Sequence, residues 1–270
     1  MNISISNIIW EKGKDNFEAF LKVVSECNIK AVELSLNSIF EEPLLITEEE
    51  IVWLIKLFDK YKISVSALHS LTYTRPDLEI FGRKEKREEL VKYIFHYIDI
   101  AKRLNTKNLV YGSPKSRKIY DLTLFEANNI FLEFLQNIDN YCKDINFNIE
   151  PLPKDYCEYL NTFEESVSLI KNRNFKNIFV QLDVRSIIEN RENIDVIFQN
   201  SSFIKHVHIG EPNLTMLENS EYSNIHKSIF EKLLSIGYRG FLSIEVINHN
   251  EKNYKEYTET IIKRVIKHYE

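Results

Sequence analysis

Apolar residues along this chain fall into short runs that alternate with longer amphipathic stretches. Asn2-Ile3-Ser4-Ile5 alternates polar and apolar, the period of a strand. Phe17, Phe20, Leu21 and Val24 then recur at helical spacing, and Asp15 with Glu18 has capping-box separation. Ile29 to Leu36 reads as a second strand. Thr47 and Glu50 form another capping box, opening a helix with Ile51, Leu54, Ile55 and Phe58 on one face. Ile63 to Leu68 is a third strand, followed by His69. Arg83 to Leu104 reads as a long amphipathic helix, Asn108 to Tyr111 as a fourth strand, and Leu124 to Tyr141 as a helix.

The second half repeats the alternation. A strand ends at Glu150, where Pro151 and Pro153 oppose an immediate helix start. Thr162 with Glu165 caps the next helix. Strands over Ile178 to Asp183, Ile204 to Ile209 and Phe241 to Glu245 follow, with helices near Ile194 to Phe198, Ser223 to Ser235 and Tyr254 to His268. Gly237 is the expected residue just past the end of the second of these helices. The result is a series of strand–helix units roughly every 30 residues, the pattern of parallel βαβ units. No GxGxxG follows the first strand, so the mark of a dinucleotide-binding sheet is absent. The expectation is a closed (β/α)8 TIM barrel spanning residues 1–270 as a single domain, with an open doubly wound sheet as the alternative.

Four successive runs end in Glu150, Asp183, His208 and Glu245. In such a barrel the active face lies at the strand C-termini. Side chains alternate inward and outward, so each of these residues would point inward at the mouth, with Asn148, Gln181, His206 and Ser243 one layer deeper. Three clustered carboxylates are costly without a partner, and one divalent metal would account for all of them. Mostly hard donors suit Mn²⁺ or Mg²⁺, with Co²⁺ and Zn²⁺ as alternatives. His206 is expected behind the ligand His208. His69 either touches substrate or makes a structural hydrogen bond, and His96, His226 and His268 read as surface or packing residues.

Composition narrows the function class. The net charge of -5 argues against general nucleic-acid binding, so no nucleic-acid partner is expected. No apolar run approaches the ~20 residues of a membrane span. Met1 to Trp10 lacks the features of a signal peptide. Cys27, Cys142 and Cys157 are unevenly spaced and odd in number, which fits a reduced, cytoplasmic protein. Tyr73 and Tyr156, in loops, are candidates for a pocket wall or an interface, and the sequence is compatible with a homo-oligomer.

The segments Ile149-Glu150-Pro151-Leu152, Tyr159-Leu160-Asn161-Thr162, Leu182-Asp183, His206-Val207-His208-Ile209-Gly210-Glu211, and Gly237-Tyr238-Arg239-Gly240 with Ser243-Ile244-Glu245 carry a resemblance. In order and spacing they resemble the xylose isomerase-like TIM-barrel superfamily, and within it the sugar phosphate isomerase/epimerase group that includes the ketose 3-epimerases. The resemblance implies that Glu150, Asp183, His208 and Glu245 bind one divalent metal and that Glu150 and Glu245 double as acid and base. It also implies that His69 and Glu211 line the substrate pocket. The expected activity is isomerisation or epimerisation of a small-molecule sugar or sugar phosphate. Such a metal acidifies the C–H beside a carbonyl and stabilises the enediolate.

Two positions depart from the epimerase pattern. Ser186 stands where the group carries a His, and Leu214 where it carries an Arg. Both departures question a free ketose as substrate, and with it full activity. Gly112-Ser113-Pro114-Lys115-Ser116-Arg117 offers either an anion site, with Arg117 as first contact and Lys115 as second, or a tight turn and a solvated basic loop. The competing readings are a related barrel dehydratase and a non-catalytic barrel that binds a ligand or protein. An apurinic endonuclease of the same fold would need further metal-binding histidines, which Gly112-Ser113 and Ser186 do not supply.

Overall fold

The strands pair in strict sequence order and the last returns to the first. The computed structural model describes residues 1–215 and 220–269. Strands β1 (Asn2–Ser6), β2 (Ala31–Leu34), β3 (Ser64–Leu68), β4 (Asn108–Tyr111), β5 (Asn146–Ile149), β6 (Ile178–Asp183), β7 (Ile204–Ile209) and β8 (Phe241–Ile244) form a closed, all-parallel barrel. Closure is made by β1 against β8, with Ser4 opposite Ser243. Helices α1 (Lys14–Glu26), α2 (Glu48–Tyr61), α3 (Lys84–Arg103), α4 (Leu124–Cys142), α5 (Phe163–Ile170), α6 (Val184–Asn190), α7 (Ile194–Gln199), α8 (Ser223–Ser235) and α9 (Tyr254–Tyr269) lie around it. The expected (β/α)8 barrel is therefore the observed fold.

Alternation along the strands divides the molecule into two interiors. Ile5, Val32, Leu109, Phe147, Val180, Val207 and Leu242 are buried in the apolar layer beneath the helices. Phe20, Leu21, Leu54, Ile94, Phe131, Leu135, Ile229 and Val265 on the helices are equally buried. Full burial of each such side chain contributes roughly 1.5–3 kcal/mol, so this shell supplies the stability. The opposite parity fills the barrel itself with polar groups: Ser4, Glu33, Asn148, Gln181, His206 and Ser243 are all fully buried. Part of this interior is hydrogen-bonded, Glu33 to His206 and Ser243 and Asn148 Nδ2 to the Leu109 carbonyl, while Ser4 Oγ, Asn148 Oδ1 and Gln181 Oε1 have no partner among the described residues.

Helix starts show where local sequence rules apply. Thr47, Thr123 and Thr162 cap α2, α4 and α5 through complete capping boxes with Glu50, Glu126 and Glu165. The expected box at Asp15 does not form: Gly13 is the N-cap of α1, and Glu18 turns to Lys60 and Tyr61 on α2 at 2.6 and 3.0 Å. Helix α6 begins without an intervening loop, Asp183 acting as both the last residue of β6 and the N-cap. The three cysteines are unpaired thiols. No helix among the described residues is long and apolar enough to cross a membrane.

Candidate metal and catalytic centre

Parallel register brings the ends of β5 to β8 together. His208 lies opposite Asp183 on one side and Ser243 on the other. Its Nδ1 is 3.2 Å from Glu150 Oε1 and 3.3 Å from Glu245 Oε2. That nitrogen is buried and yet makes no hydrogen bond. Glu150, His208 and Glu245 each offer a ligand atom within 4.8 Å of the other two. A buried ring nitrogen facing two carboxylates in this way is a geometry that a cation placed among them could complete. Two carboxylates and an imidazole are a donor set that a divalent metal accepts.

Asp183 stands beside this trio rather than within it. Its Oδ2 accepts a hydrogen bond from Ser186 Oγ at 2.8 Å, and its Oδ1 accepts one from the Arg185 backbone N–H at 3.0 Å. Burial pushes its carboxyl up to about 7, Arg185 pulling it down and the charges of Glu150 and Glu245 adding to the rise. Four acids and bases expected at the mouth are thus all there, three converging and the fourth held by a hydroxyl. Ser186 Oγ is also 2.8 Å from the Pro151 carbonyl, so its single proton has two acceptors to choose between.

Beneath His208 lies a carboxylate that the sequence reading did not single out. Glu33 on β2 is fully buried, at a register shift between Val32 and Glu33 that re-aims the strand. Its Oε1 is 2.9 Å from His208 Nε2 and 3.2 Å from His206 Nε2, and its Oε2 accepts a short hydrogen bond from Ser243 Oγ. Burial opposes its charge, but His208, His206 and His69 hold its carboxyl well below the usual range. An ionised Glu33 accepts from Nε2–H of His208, so that in the neutral ring Nδ1 carries the lone pair facing Glu150 and Glu245. Burial favours a neutral His208 ring, yet Glu33, Glu245 and Glu150 outweigh it and raise the imidazole well above its usual range.

The two glutamates are held differently. Glu245 Oε1 faces His69 Nδ1 at 3.4 Å, and His69 Nε2 is 2.6 Å from Ser6 Oγ. Burial would raise the Glu245 carboxyl, but His208 and His69 keep it low and ionised. Glu150 Oε1 accepts a 3.4 Å contact from Gln181 Nε2 one layer down. Its Oε2 occupies space that any side chain at Gly112 would take, since a Cβ there would lie 2.1 Å away. His69 therefore contacts a site glutamate and a structural hydroxyl at once.

A family model described as xylose isomerase-like TIM barrel matches residues 21–267. The chain belongs to that family. No match is found among curated protein sequences. Among solved structures, D-psicose 3-epimerase with D-tagatose from Clostridium cellulolyticum H10 has 15% identity and a TM-score of 0.79, covering 100% of this chain and 98% of that one. An L-ribulose 3-epimerase has 19% identity and a TM-score of 0.78, covering 96% and 86%. A 3-keto-D-glucoside 4-epimerase from E. coli has 14% identity and a TM-score of 0.77, covering 99% of both chains. At these identities the likeness is one of fold.

Against this family background, the other candidate residues are distributed unevenly. Arg117 is fully buried; its Nη2 donates to the Glu150 backbone carbonyl at 3.0 Å, while Nε and Nη1 have no partner among the described residues. It steadies the strand end that carries Glu150 and does not reach solvent, whereas Lys115 is exposed. Glu211 is also buried, with Oε1 3.5 Å from His226 Nε2 on α8.

Proposed function

We propose that this protein is a metal-dependent sugar or sugar-phosphate isomerase or epimerase that abstracts a proton next to a carbonyl. The observation that carries the reading is the unbonded Nδ1 of His208 aimed at Glu150 and Glu245, backed by Glu33. Glu150, His208 and Glu245 would hold the ion, with Asp183 beside them; Mn²⁺ or Mg²⁺ suits these donors, and Co²⁺ or Zn²⁺ is an alternative. Bound there, the ion would polarise a substrate carbonyl and make the neighbouring C–H more acidic.

The chain's own groups supply the proton chemistry. One glutamate, as carboxylate, takes the proton from the carbon beside the carbonyl. The bond's electron pair passes into the carbonyl, giving an enediolate. The other glutamate, as carboxylic acid, returns a proton to the opposite face of the same carbon, which inverts it, or the proton returns to the adjacent carbon, which moves the carbonyl. Glu245 suits the base, because His208 and His69 keep it ionised near neutral pH. His69, itself held by Ser6, fixes the direction in which Glu245 Oε1 points. The relatives in fold act on free ketoses or a keto-glucoside by their names, which supports a sugar as the substrate class.

The test compares the wild type with Glu245→Gln and Asp183→Asn. The reading expects near-stoichiometric divalent metal in the wild type, weakened in both variants. It also expects solvent deuterium to enter a C–H of a sugar or sugar phosphate. A wild type that takes up none of Mn²⁺, Co²⁺ and Zn²⁺ would sink this reading and favour a barrel that only binds a ligand.

A further inference from the structure

Arg185 follows the mouth acid Asp183 by two residues, on α6. Its side chain is only 12% exposed. Its guanidinium makes no hydrogen bond among the described residues, and its Nε is buried without a partner. The nearest acid is Glu189, whose Oε2 lies 3.9 Å from that Nε, beyond hydrogen-bond reach, and is itself buried and unbonded. The guanidinium lies over the ring of Tyr156, 5.2 Å from its centroid. Its two neighbours Tyr156 and Glu189 border a groove of about 490 Å³, with Lys154, Asp155, Arg191 and Asn213, whose lining does not include Arg185 itself. Arg185 is therefore a half-buried cation whose Nε is unsatisfied and whose terminal nitrogens, which are not sealed from solvent, have no protein partner among the described residues.

Such a group needs an acceptor. Burying a guanidinium without hydrogen bonds is costly, and a neutral hydroxyl compensates it less well than an anion. Asp183 and Glu245 attract Arg185 through space, but their oxygens hydrogen-bond or face other groups: Glu150 and Glu245 face His208, and Asp183 accepts from Ser186 and from the Arg185 backbone N–H. Burial holds the Glu189 carboxyl above its usual range, which makes it a weak counter-charge. Nearby Ser186 and Leu214 bring no charge of their own. An anionic group on the ligand is the acceptor that matches this fork. We infer that Arg185 is the specificity residue of this site and that the substrate is an anionic sugar, whose carboxylate or phosphate group meets the forked guanidinium beside Tyr156. This rests on the proposed sugar chemistry for the reacting end and adds the identity of the other end. It also moves the anion contact from Arg117, which is sealed inside, to a residue at the mouth.

The experiment uses the full chain loaded with Mn²⁺, as wild type, Arg185→Met and Arg185→Lys. All three are first compared by thermal melting to confirm folding. Solvent deuterium exchange is measured on a neutral ketohexose, its terminal phosphate ester and its terminal carboxylate, and inorganic phosphate is titrated calorimetrically. One anionic sugar is expected to exceed the neutral one in kcat/KM by at least about 10-fold, and which of the two does so distinguishes phosphate from carboxylate. Arg185→Met is expected to lower that value by about 100-fold and to lower the value for the neutral sugar by a much smaller factor. Lys keeps the charge and loses the fork, so it should restore only a small part. A preference for the neutral sugar, equal losses on all three, or full recovery with Lys would overturn the inference, the last by showing that Arg185 only balances the mouth's charge. If no sugar exchanges, the proposed reaction falls and the titration decides this inference. Phosphate bound by wild type and lost in Arg185→Met sustains it; equal binding, or none, overturns it.

Discussion

Glu33 and His208 meet inside the barrel, Oε1 to Nε2 at 2.9 Å, with neither side chain exposed. They are 175 residues apart in the chain, yet the contact settles which nitrogen of His208 faces the mouth. A carboxylate behind a ligating imidazole fixes its tautomer and raises its basicity. Glu33→Gln keeps the size of the side chain and removes the charge. It is expected to weaken Mn²⁺ binding by about 10–100-fold, read by calorimetry, with the protein still folded by circular dichroism. Unchanged affinity would show that Glu33 serves only to satisfy the buried histidines.

Gly112 makes room for Glu150. A Cβ at this position would lie 2.1 Å from Glu150 Oε2 and 3.2 Å from its carboxyl carbon. The obstacle is a side-chain end, so the fold can absorb Gly112→Ala by turning the carboxylate aside. The cost is expected in metal affinity, about 10-fold or more, with little change in melting temperature. A variant that binds Mn²⁺ as tightly as the wild type would show that Glu150 has another productive position.

Much of this architecture was legible because periodicity and strand ends are local signals. The observed bounds of β4, β6, β7 and α8 coincide with those expected. The Asp15–Glu18 box was misread because the same spacing arises wherever a first-turn acid is recruited by a neighbouring helix. This gives a paired prediction. Thr162→Ala removes an acceptor for the Glu165 N–H at 3.1 Å and should cost about 1 kcal/mol in urea unfolding. Asp15→Ala leaves the Gly13 cap intact and should cost about 0.5 kcal/mol or less. Equal costs would contradict the assignment of the cap.

What was not legible depends on partners distant in sequence. Ala31-Val32-Glu33-Leu34 reads as an apolar strand, and only its one acid hinted that a charge was being buried for a reason. Arg117 looked like an accessible cation because the turn that rotates it inward is set by Ser113, in a left-handed conformation. Arg185 carries no signal in the sequence, since only the fold shows that Tyr156 lies under it and that no acid among the described residues hydrogen-bonds it. In each case the missing information was which groups across the barrel are already paired.

Glu192 supplies a test of the shell rather than the mouth. Its Oε2 accepts the backbone N–H of Phe163, at the start of α5, at 2.7 Å. Burial pushes its carboxyl up to about 7, although that hydrogen bond favours the ionised form. Below the ordinary carboxylate range both folded and unfolded chains hold this proton, and the group contributes its full stability. As pH rises from about 4.5 towards 7 the unfolded chain loses the proton first, so the folded state is progressively disfavoured, and above 7 the loss is complete. Glu192→Gln keeps an acceptor for the Phe163 N–H and removes the titration. Relative to wild type, the variant should gain about 3 kcal/mol or less between pH 5 and pH 8 in urea unfolding, following the size of the shift. A difference between variant and wild type that does not change with pH would mean that Glu192 is ionised at an ordinary pKa in the folded protein.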